Sequence, residues 1–410
     1  MAYIEERLHE LRDLGLYRRL RLVSGPQGPR VLLDGEPVLL LCSNNYLGLA
    51  DHPAVRAAAA DAATRWGVGS GASRLVSGTM TVHRRLEERL AAFEGTEACV
   101  LFGSGYLANL GVLAALAGPG DVVYSDALNH ASIIDGCRLS RARTFVYRHA
   151  DVEHLRWGLE REGELGPGRR RVIVTDAVFS MDGDVAPLAA LAELADRHSA
   201  QLVVDEAHGT GVLGPGGRGA VAEAGLEGEV DVVIGTLSKS FGSYGAYVCA
   251  TTAMVRYLVN VARPLIFSTA PPPPAIAGAL AALQLLEGEP ERVETLRANA
   301  RLMRAELVAQ GLPAGGDAAT PIVPLLAGDP HRAMEWCEQA LRRGVFAQAI
   351  RPPTVPPDTS RLRLTVMATH DAAELRAAAR AIGEAARAVG VLPRADARED
   401  RELVRASRAA

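Results

Sequence analysis

The sequence predicts an α/β protein with a mostly parallel central sheet in a large domain and a smaller C-terminal α+β domain. Short apolar segments of strand length alternate with helical patterns from residue 51 to residue 285. After Pro290 the pattern changes to long helices rich in Ala, Leu and Arg. A chain of 410 residues also exceeds the roughly 250–300 residues at which a single core usually divides. We therefore divide the sequence into segments 1–50, 51–285, 286–392 and 393–410.

The first segment is predicted to contain one amphipathic helix over residues 4–20 and two short strands around Val31 and Leu39. Its first residues are charged and lack the apolar stretch of a signal peptide. In the large domain we expect seven strands, over residues 99–102, 121–124, 144–147, 171–175, 201–204, 232–235 and 246–250. Helical patterns lie between most of them, which favours a parallel sheet covered on both faces.

The smaller domain, residues 286–392, is predicted to consist of three long helices and two strands. The helices are expected over residues 293–310, 330–343 and 372–390, and the strands over 322–326 and 361–366. Beyond residue 393 the chain is highly charged, and we predict a disordered tail there.

Composition excludes several classes of function. A formal charge of −4 and a pI near 6.2 give no electrostatic reason to bind nucleic acid or an anionic membrane. No apolar run reaches the roughly 20 residues of a membrane-spanning helix. The five cysteines are scattered and form no CxxC pair, so neither a disulfide framework nor a metal site is indicated. We expect a cytoplasmic protein with reduced cysteines.

Two strand ends carry the residues that indicate a function. The predicted strand 232–235 runs into a turn that carries Lys239, and the strand 201–204 ends at Asp205. Ligands bind at the carboxyl ends of the strands in a parallel sheet. A lysine that can form a Schiff base, with an acid that keeps a pyridine nitrogen protonated, is the minimum apparatus for pyridoxal 5'-phosphate (PLP) chemistry. We predict a PLP enzyme.

Other strand ends fit this prediction less specifically. The glycine-rich turn 103–106 opens a helix whose free N–H groups suit a phosphate, and His130 could stack on an aromatic ring. Each also has an ordinary explanation, either a simple turn or a helix cap with an incidental histidine. The stretch 205–208 spells the DEAH of helicases, but the chain has no GxxxxGK[ST] loop to accompany it.

Several motifs together resemble the α-oxoamine synthases, which are fold-type I PLP enzymes. They are GSGYxAN at 103–109, NHAS at 129–132, VFSMDGD at 178–184, DEAHGTGVLG at 205–214, TLSKSFG at 236–242 and RPPTVP at 351–356. The resemblance covers the chain to about residue 390, and implies the condensation of an amino acid with an acyl thioester and loss of carbon dioxide. The segments 43–49, 150–155 and 351–365 are most similar to the branch that joins L-alanine to a pimeloyl thioester in biotin biosynthesis.

The resemblance also implies a role for each matching residue. Lys239 would carry PLP and move the substrate Cα proton, Asp205 would hold the pyridinium nitrogen, and His130 would stack on the ring and face the substrate. The resemblance implies further cofactor contacts. Ser180 and His208 would lie near the ring oxygen, and Thr236 would bind the phosphate together with the amides of Gly105 and Tyr106. In a homodimer, Thr269 would contact the phosphate of the neighbouring subunit.

Substrate contacts are implied in the same way. Asn44 and Arg363 would bind the amino-acid carboxylate, while Thr354 and an N-terminal arginine would face the acyl substrate. Arg18 is the best match to that arginine, with Arg19 and Arg21 as alternatives. Arg361 lies two residues before Arg363 in the predicted strand. For Arg361 we expect a solvated strand face and no contact with substrate.

Three alternative functions remain at this level. One is a sister enzyme, such as a glycine C-acetyltransferase or a serine palmitoyltransferase. Another is a PLP-fold regulator without activity, although no basic helix-turn-helix segment is visible. The third is an aminotransferase of the same fold. The sequence also leaves open whether the acyl group arrives on coenzyme A or on an acyl carrier protein.

Overall fold

The computed structural model describes residues 2–161 and 169–393. These residues form two compact units. The first unit comprises residues 2–43, 181–183 and 295–393, and the second comprises residues 44–161, 169–180 and 184–294. The predicted tail 393–410 lies almost wholly outside the described residues.

The second unit is built on a sheet with the strand order β4-β10-β9-β8-β7-β5-β6. Its strands are β4 (Ala98–Phe102), β5 (Val122–Asp126), β6 (Arg143–Tyr147), β7 (Arg171–Asp176), β8 (Gln201–Asp205), β9 (Val232–Thr236) and β10 (Ala246–Ala250). Pairing from β6 to β9 is parallel throughout, and β10 runs antiparallel to both of its neighbours, β4 and β9. Strands β5, β9 and β10 are buried along their whole length, which explains their nearly continuous apolar sequences.

Helices of the second unit lie between these strands in the chain and on either side of them. They are α2 (Pro53–Trp66), α3 (Thr81–Glu94), α4 (Gly105–Leu116), α5 (Ala131–Ser140), α6 (Val152–Arg161), α7 (Leu188–Arg197), α8 (Ala220–Glu223), α9 (Thr252–Val261), α10 (Arg263–Ile266) and α11 (Pro273–Gly288). One buried cluster joins the sheet to α4 and α5 through Phe102, Val112, Leu113, Ile133 and Ile234. This core holds the strand ends in fixed positions.

The first unit contains two smaller sheets. Their orders are β1-β2-β3-β12 and β11-β14-β13. The strands are β1 (Val23–Ser24), β2 (Arg30–Leu33), β3 (Glu36–Leu40), β11 (Ile322–Gly328), β12 (Val345–Phe346), β13 (Gln348–Ile350) and β14 (Ser360–Thr365), and the helices are α1 (Ala2–Asp13), α12 (Glu291–Ala309), α13 (Pro330–Leu341) and α14 (Ala372–Ala388). Trp336 is fully buried in the core of this unit and donates from its indole nitrogen to the carbonyl of Ile382 at 3.0 Å.

The predicted fold class is confirmed, and the differences are local. Helix α1 ends at Asp13 instead of continuing to residue 20, because the chain turns at Gly15, whose φ of 66° is left-handed. The short strands β1, β12 and β13 were not predicted. In the described part of the chain, no helix is long and apolar enough to cross a membrane.

Candidate active site

A cavity of about 220 Å³ opens in the second unit where the parallel strands end. Its wall combines the carboxyl ends of β7, β8 and β9 with the first turns of α4 and α5. The lining residues are Gly105, Tyr106, Asn109, His130, Ser132, Asp176, Asp205, Ala207, His208, Thr236 and Lys239. The position agrees with the general rule for ligands of parallel sheets.

Asp205 is the last residue of β8, and both of its carboxylate oxygens accept hydrogen bonds. The amide nitrogen of Ala207 donates to Oδ1 at 2.8 Å, and Nδ2 of Asn109 donates to Oδ2 at 2.6 Å. The side chain is 4% exposed. Two donors on this buried carboxylate fix its orientation at the end of β8.

A second carboxyl group lies beside it, because Asp176 pairs with Asp205 in the register of β7 and β8. Burial raises the pKa of Asp176 well above its ordinary value, and the charge of Asp205 raises it further. Oδ2 of Asp176 accepts the backbone N–H of His130 at 2.7 Å. Asp176 therefore holds the start of α5, from which the imidazole of His130 projects.

Lys239 lies in the turn between β9 and β10. The hydroxyl of Ser240 donates to the carbonyl of Thr210 at 2.7 Å, and the N–H of Gly242 donates to the carbonyl of Lys239 at 2.9 Å. Gly242 has a φ of 60°, and a Cβ there would lie 2.3 Å from the nitrogen of Ala50, so only glycine is accommodated. The turn thus has a defined conformation around Lys239. Lys239 is also the only lysine in the sequence.

The opposite end of the cavity suits a phosphate. Helix α4 begins at Gly105, and the hydroxyl of Ser104 caps it by accepting the N–H of Leu107 at 3.3 Å. A Cβ placed on Gly105 would meet no atom within 4 Å, so a ligand can approach the backbone N–H groups of this first turn. The Thr236 hydroxyl lies at the end of β9 and also lines the cavity.

The lining residues fit PLP in their chemistry. They supply one primary amine, a fixed carboxylate for a ring nitrogen, an imidazole, and N–H and hydroxyl donors for a phosphate. The surroundings of His130 lower its pKa by burial, although Asp205 opposes the shift, and Lys239 lowers the pKa further. A neutral imidazole can stack on an aromatic ring without adding positive charge.

His208 connects the cavity to Asn44 through Tyr46. The Tyr46 hydroxyl lies 2.6 Å from Nδ1 of His208 and 3.2 Å from Oδ1 of Asn44. Tyr46 is fully buried, so this contact positions the imidazole firmly. Asn44 itself does not line the cavity.

Behind β8 lies a buried acidic cluster that the sequence did not predict. The Tyr247 hydroxyl donates to Oε1 of Glu94 at 2.5 Å and lies 3.1 Å from the hydroxyl of Thr210. Burial raises the pKa of Glu94 to about 8 and that of Glu206 to about 7. Oε1 of Glu206 accepts the N–H of Val221 at 2.7 Å. This cluster supports the segment that follows Asp205.

Two predicted cofactor contacts are not among the residues that line this cavity. Ser180 is half-buried and ends a segment of the second unit. Thr269 is exposed and pairs with Ser73 in an isolated bridge. Their predicted roles stay predictions.

The first unit has a larger cavity of about 800 Å³. Its wall includes Arg18, Arg19, Arg21 and Thr354 from the predicted substrate group, together with Arg351 and the apolar side chains of Val23, Leu33, Met334, Phe346 and Ile350. Arg21 pairs with Asp34 and Glu338, and Arg19 lies 3.6 Å from Glu338. These pairs distinguish both residues from Arg18, whose guanidinium donates to the carbonyls of Leu16 and Pro352.

Arg351 is a functional candidate that the sequence reasoning did not single out. It is 6% exposed and donates to the carbonyls of Gly15 and Tyr17, and its Nε has no hydrogen-bond partner among the described residues. Burial lowers its pKa, and the nearby charge of Arg18 lowers it further. A buried guanidinium next to a second cation indicates an anion site. Its place at the start of the RPPTVP motif was the available signal.

Strand β14 carries the remaining predicted residues. Arg363 is buried in it. The prediction that Arg361 lies on a solvated face is wrong, because Arg361 is 4% exposed and forms an ion pair with Asp182. All six residues of the strand are buried, so both faces of β14 are covered and alternation no longer separates core from solvent.

Within the smaller cavity, the sequence reasoning missed Asn109, Ser132 and Asp176. Asn109 follows Gly105 by four residues in α4 and therefore shares its face. Ser132 belongs to the NHAS motif, and Asp176 directly follows the predicted strand 171–175. Helical spacing could have placed Asn109 in the site beside Gly105.

Comparison with known proteins agrees with this geometry. A family model described as aminotransferase class I and II matches residues 36–382. The 8-amino-7-oxononanoate synthase of Citrifermentans bemidjiense is 51% identical over 395 residues, covering 96% of this chain and 100% of that protein. The synthase of the same name from Geobacter sulfurreducens is 51% identical over 388 residues, covering 94% and 98%. A solved serine palmitoyltransferase with PLP has a TM-score of 0.89 at 34% identity, covering 95% of this chain and 98% of that one.

Proposed function

The chain belongs to the aminotransferase class I and II family, and we propose that it catalyses the PLP-dependent condensation of L-alanine with a pimeloyl thioester, as an 8-amino-7-oxononanoate synthase. Carbon dioxide and the thiol are released in this reaction. The observation that carries the PLP chemistry is the cavity in which the only lysine of the sequence meets a carboxylate with both oxygens bound. The relatives named above support the choice of substrates.

Residues of the smaller cavity would hold the cofactor. Lys239 would bind it covalently, Asp205 would accept a hydrogen bond from the protonated ring nitrogen, and the first turn of α4 with Thr236 would bind the phosphate. When bound, PLP supplies an aldehyde that combines with amines and a protonated ring that withdraws electrons from the substrate Cα.

The protein's own contribution to bond breaking is proton transfer at Lys239. With alanine bound, the amine of Lys239 would take the proton from Cα. This step requires the neutral form of the amine. The acidity of Cα depends in turn on Asp205, whose carboxylate would keep the ring nitrogen protonated.

For the amino-acid substrate we retain the predicted pair of Asn44 and Arg363. A guanidinium binds a carboxylate with two parallel hydrogen bonds, and an amide adds one more donor.

For the acyl substrate we propose that Arg18 and Arg351 bind the distal carboxylate of the pimeloyl chain. Both guanidiniums are bonded only to backbone carbonyls in the described residues, and apolar side chains line the same cavity. An acyl chain that ends in a carboxylate matches this combination of charge and apolar surface. Thr354, in the same wall, would contact the chain.

We also propose that the enzyme is a cytoplasmic homodimer that accepts its acyl group from coenzyme A or from an acyl carrier protein. Exposed apolar side chains on the second unit, including Val68, Val76, Tyr244 and Phe267, support an association surface. The five cysteines are free and four of them are buried, as expected in a reducing compartment.

A specific observation also favours the sister activity of a serine palmitoyltransferase, because a solved enzyme of that name has a TM-score of 0.89 with this chain. The two activities differ in the amino acid and in the acyl group. The choice between them therefore depends on a substrate comparison.

The test is to incubate the PLP-loaded full chain with pimeloyl-coenzyme A and, separately, L-alanine, glycine or L-serine. Product mass and carbon dioxide release are measured in each arm. With alanine we expect both the product and carbon dioxide, at a rate at least about tenfold above the rates with glycine and serine. One added or missing group on a substrate costs roughly 1–3 kcal/mol of binding in the transition state. Faster reaction with serine, or with serine and a palmitoyl thioester in an additional arm, would reject the proposed substrates. Amino-group exchange with a keto acid, without the thioester, would identify an aminotransferase.

A further inference from the structure

His130 and Asp205 are connected by hydrogen bonds through two side chains to which no role has yet been given. Nδ2 of Asn109 donates to Oδ2 of Asp205 at 2.6 Å and also to the hydroxyl of Ser132 at 2.9 Å. The Ser132 hydroxyl lies 2.7 Å from Nδ1 of His130. Asn109 and Ser132 are each 1% exposed, so water does not compete for these bonds.

The orientation of the Asn109 amide follows from its partners. Oδ2 of Asp205 acts as an acceptor, and a second acceptor oxygen at 2.6 Å from it would be repelled. The NH₂ group must therefore face Asp205, and its second hydrogen is directed to Ser132. Oδ1 is left buried without a hydrogen-bond partner in the described residues, so the hydrogen bonds of this amide within the described residues are made by its NH₂ group.

The position of the Ser132 proton follows in turn. Because the Ser132 oxygen accepts from Asn109, its own hydrogen is available for Nδ1 of His130. The backbone N–H of Ser132 is directed at the same nitrogen, at 3.3 Å. A nitrogen that faces two donors must act as an acceptor, so the proton of the neutral imidazole lies on Nε2.

We infer that Asn109 and Ser132 are positioning residues that fix His130 as the Nε2–H tautomer and connect it to the Asp205 carboxylate. The inference rests on the proposed function, because it concerns the same cavity. His130 then presents one donor, at Nε2, to a ligand, and its ring is anchored through Nδ1. The group that binds the ring nitrogen and the group that stacks on the ring are thereby held by one set of bonds.

The test uses the PLP-loaded full chain labelled with ¹⁵N-histidine. The ¹⁵N shifts of His130 distinguish a protonated from an unprotonated ring nitrogen, and loss of one signal set in His130→Gln assigns them among the ten histidines. At neutral pH we expect Nε2 to be protonated and Nδ1 unprotonated. A proton on Nδ1 in the unaltered protein would overturn the inference, whatever the variants do.

The variants test each bond. Ser132→Ala removes one donor from Nδ1, so we expect the two nitrogen shifts to move towards each other and the pH at which His130 protonates to rise by about half a unit to one unit. Asn109→Ala should act in the same direction but less strongly. Ser132→Thr retains the hydroxyl and should restore the original shifts. Shifts in Ser132→Ala identical to those of the unaltered protein would refute the role of Ser132.

The matched control is Ser140→Ala. Ser140 is also a buried serine of α5, but its hydroxyl bonds to the carbonyl of Cys137 and to the N–H of Ala142. We expect this variant to leave the His130 shifts unchanged, and a change as large as that in Ser132→Ala would contradict the assignment to one bond. The product assay with alanine is independent. The expected tautomer without any condensation product would reject the proposed function and preserve this inference.

Discussion

The two cavities, one in each unit, are built by different means. The cavity of about 220 Å³ in the second unit lies at the ends of parallel strands, where polar side chains bond to one another, as Asn109 does to Asp205. The cavity of about 800 Å³ in the first unit is lined by the coil residues 17–21 and short strands, where the guanidiniums of Arg18 and Arg351 bond to backbone carbonyls.

This difference indicates different tasks. Side chains that hold one another have a fixed geometry before any ligand binds, which proton transfer requires. Guanidiniums held by carbonyls keep their full charge for a ligand and depend less on exact geometry. We therefore expect changes in the smaller cavity to lower the catalytic rate, and changes in the first unit to alter the concentration needed for saturation.

The largest effect is expected from Lys239→Ala. The variant loses both the covalent cofactor contact and the base that takes the Cα proton, so product formation should fall at least about 10³-fold. Borohydride reduction and peptide mapping of the unaltered protein should place the pyridoxyl group on Lys239. Because the sequence has no other lysine, Arg256→Lys on the exposed face of α9 provides a control. A label at residue 256, or none at Lys239, would contradict the assignment.

A smaller loss of rate is expected from Asp205→Asn. An amide cannot stabilise the protonated ring nitrogen, and each pKa unit lost there costs about 1.4 kcal/mol. Exchange of the alanine Cα proton for deuterium should slow about 10²-fold, with the fold retained. Asp61→Asn, at an exposed position in α2, serves as the control. Exchange at the rate of the unaltered protein would exclude a role for Asp205 at the ring nitrogen. It would also contradict the expectation that changes in the smaller cavity lower the catalytic rate.

In the first unit, Arg363→Lys should affect binding more than rate. Lysine cannot reproduce the two parallel hydrogen bonds of a guanidinium, so the alanine concentration at half-saturation should rise about tenfold. Saturation by the thioester should change far less. Arg361→Lys is the matched control, because the guanidinium of Arg361, also on β14, forms an ion pair with Asp182. Normal alanine binding with impaired thioester saturation would instead place Arg363 at the acyl substrate.

The smallest effect concerns stability, and it tests how firmly the second unit holds its loops. Nδ1 of His149 lies 2.9 Å from Asp126 and Nε2 lies 2.7 Å from Asp184. Hydrogen bonds with Asp126 and then Asp184 raise the pKa of His149 to about 10, from 6.5. A raised pKa stabilises the fold fully below the unfolded value of 6.5, and this contribution is lost as the pH rises through 10.

We expect His149→Gln to lower the free energy of unfolding by about 1 kcal/mol near pH 6, after allowance for partial solvent screening. The difference from the unaltered protein should disappear above the folded pKa of about 10. Urea unfolding at both pH values measures it. A difference that does not vary with pH would show that the charge of His149 contributes nothing.

Much of the smaller cavity was predictable from the sequence. Lys239, Asp205 and His130 each follow a recognisable strand, and the carboxyl ends of parallel strands meet at one edge of a sheet. The alternation of short apolar strands with helical patterns was therefore enough to predict that these three residues lie at one edge of the sheet. The Ala- and Leu-rich helices of the first unit were predictable for the same reason, because their periodicity is local.

Tertiary structure alone decided which side chains meet. Asn109 and Asp205 are 96 residues apart, and no periodicity in α4 indicates a partner in β8. Strand β12 pairs with β3 across some 300 residues of chain, and Arg361 is buried because Asp182 offers it a countercharge. A sequence pattern determines the face on which a residue lies. The partner on that face depends on non-local packing, which the pattern does not contain.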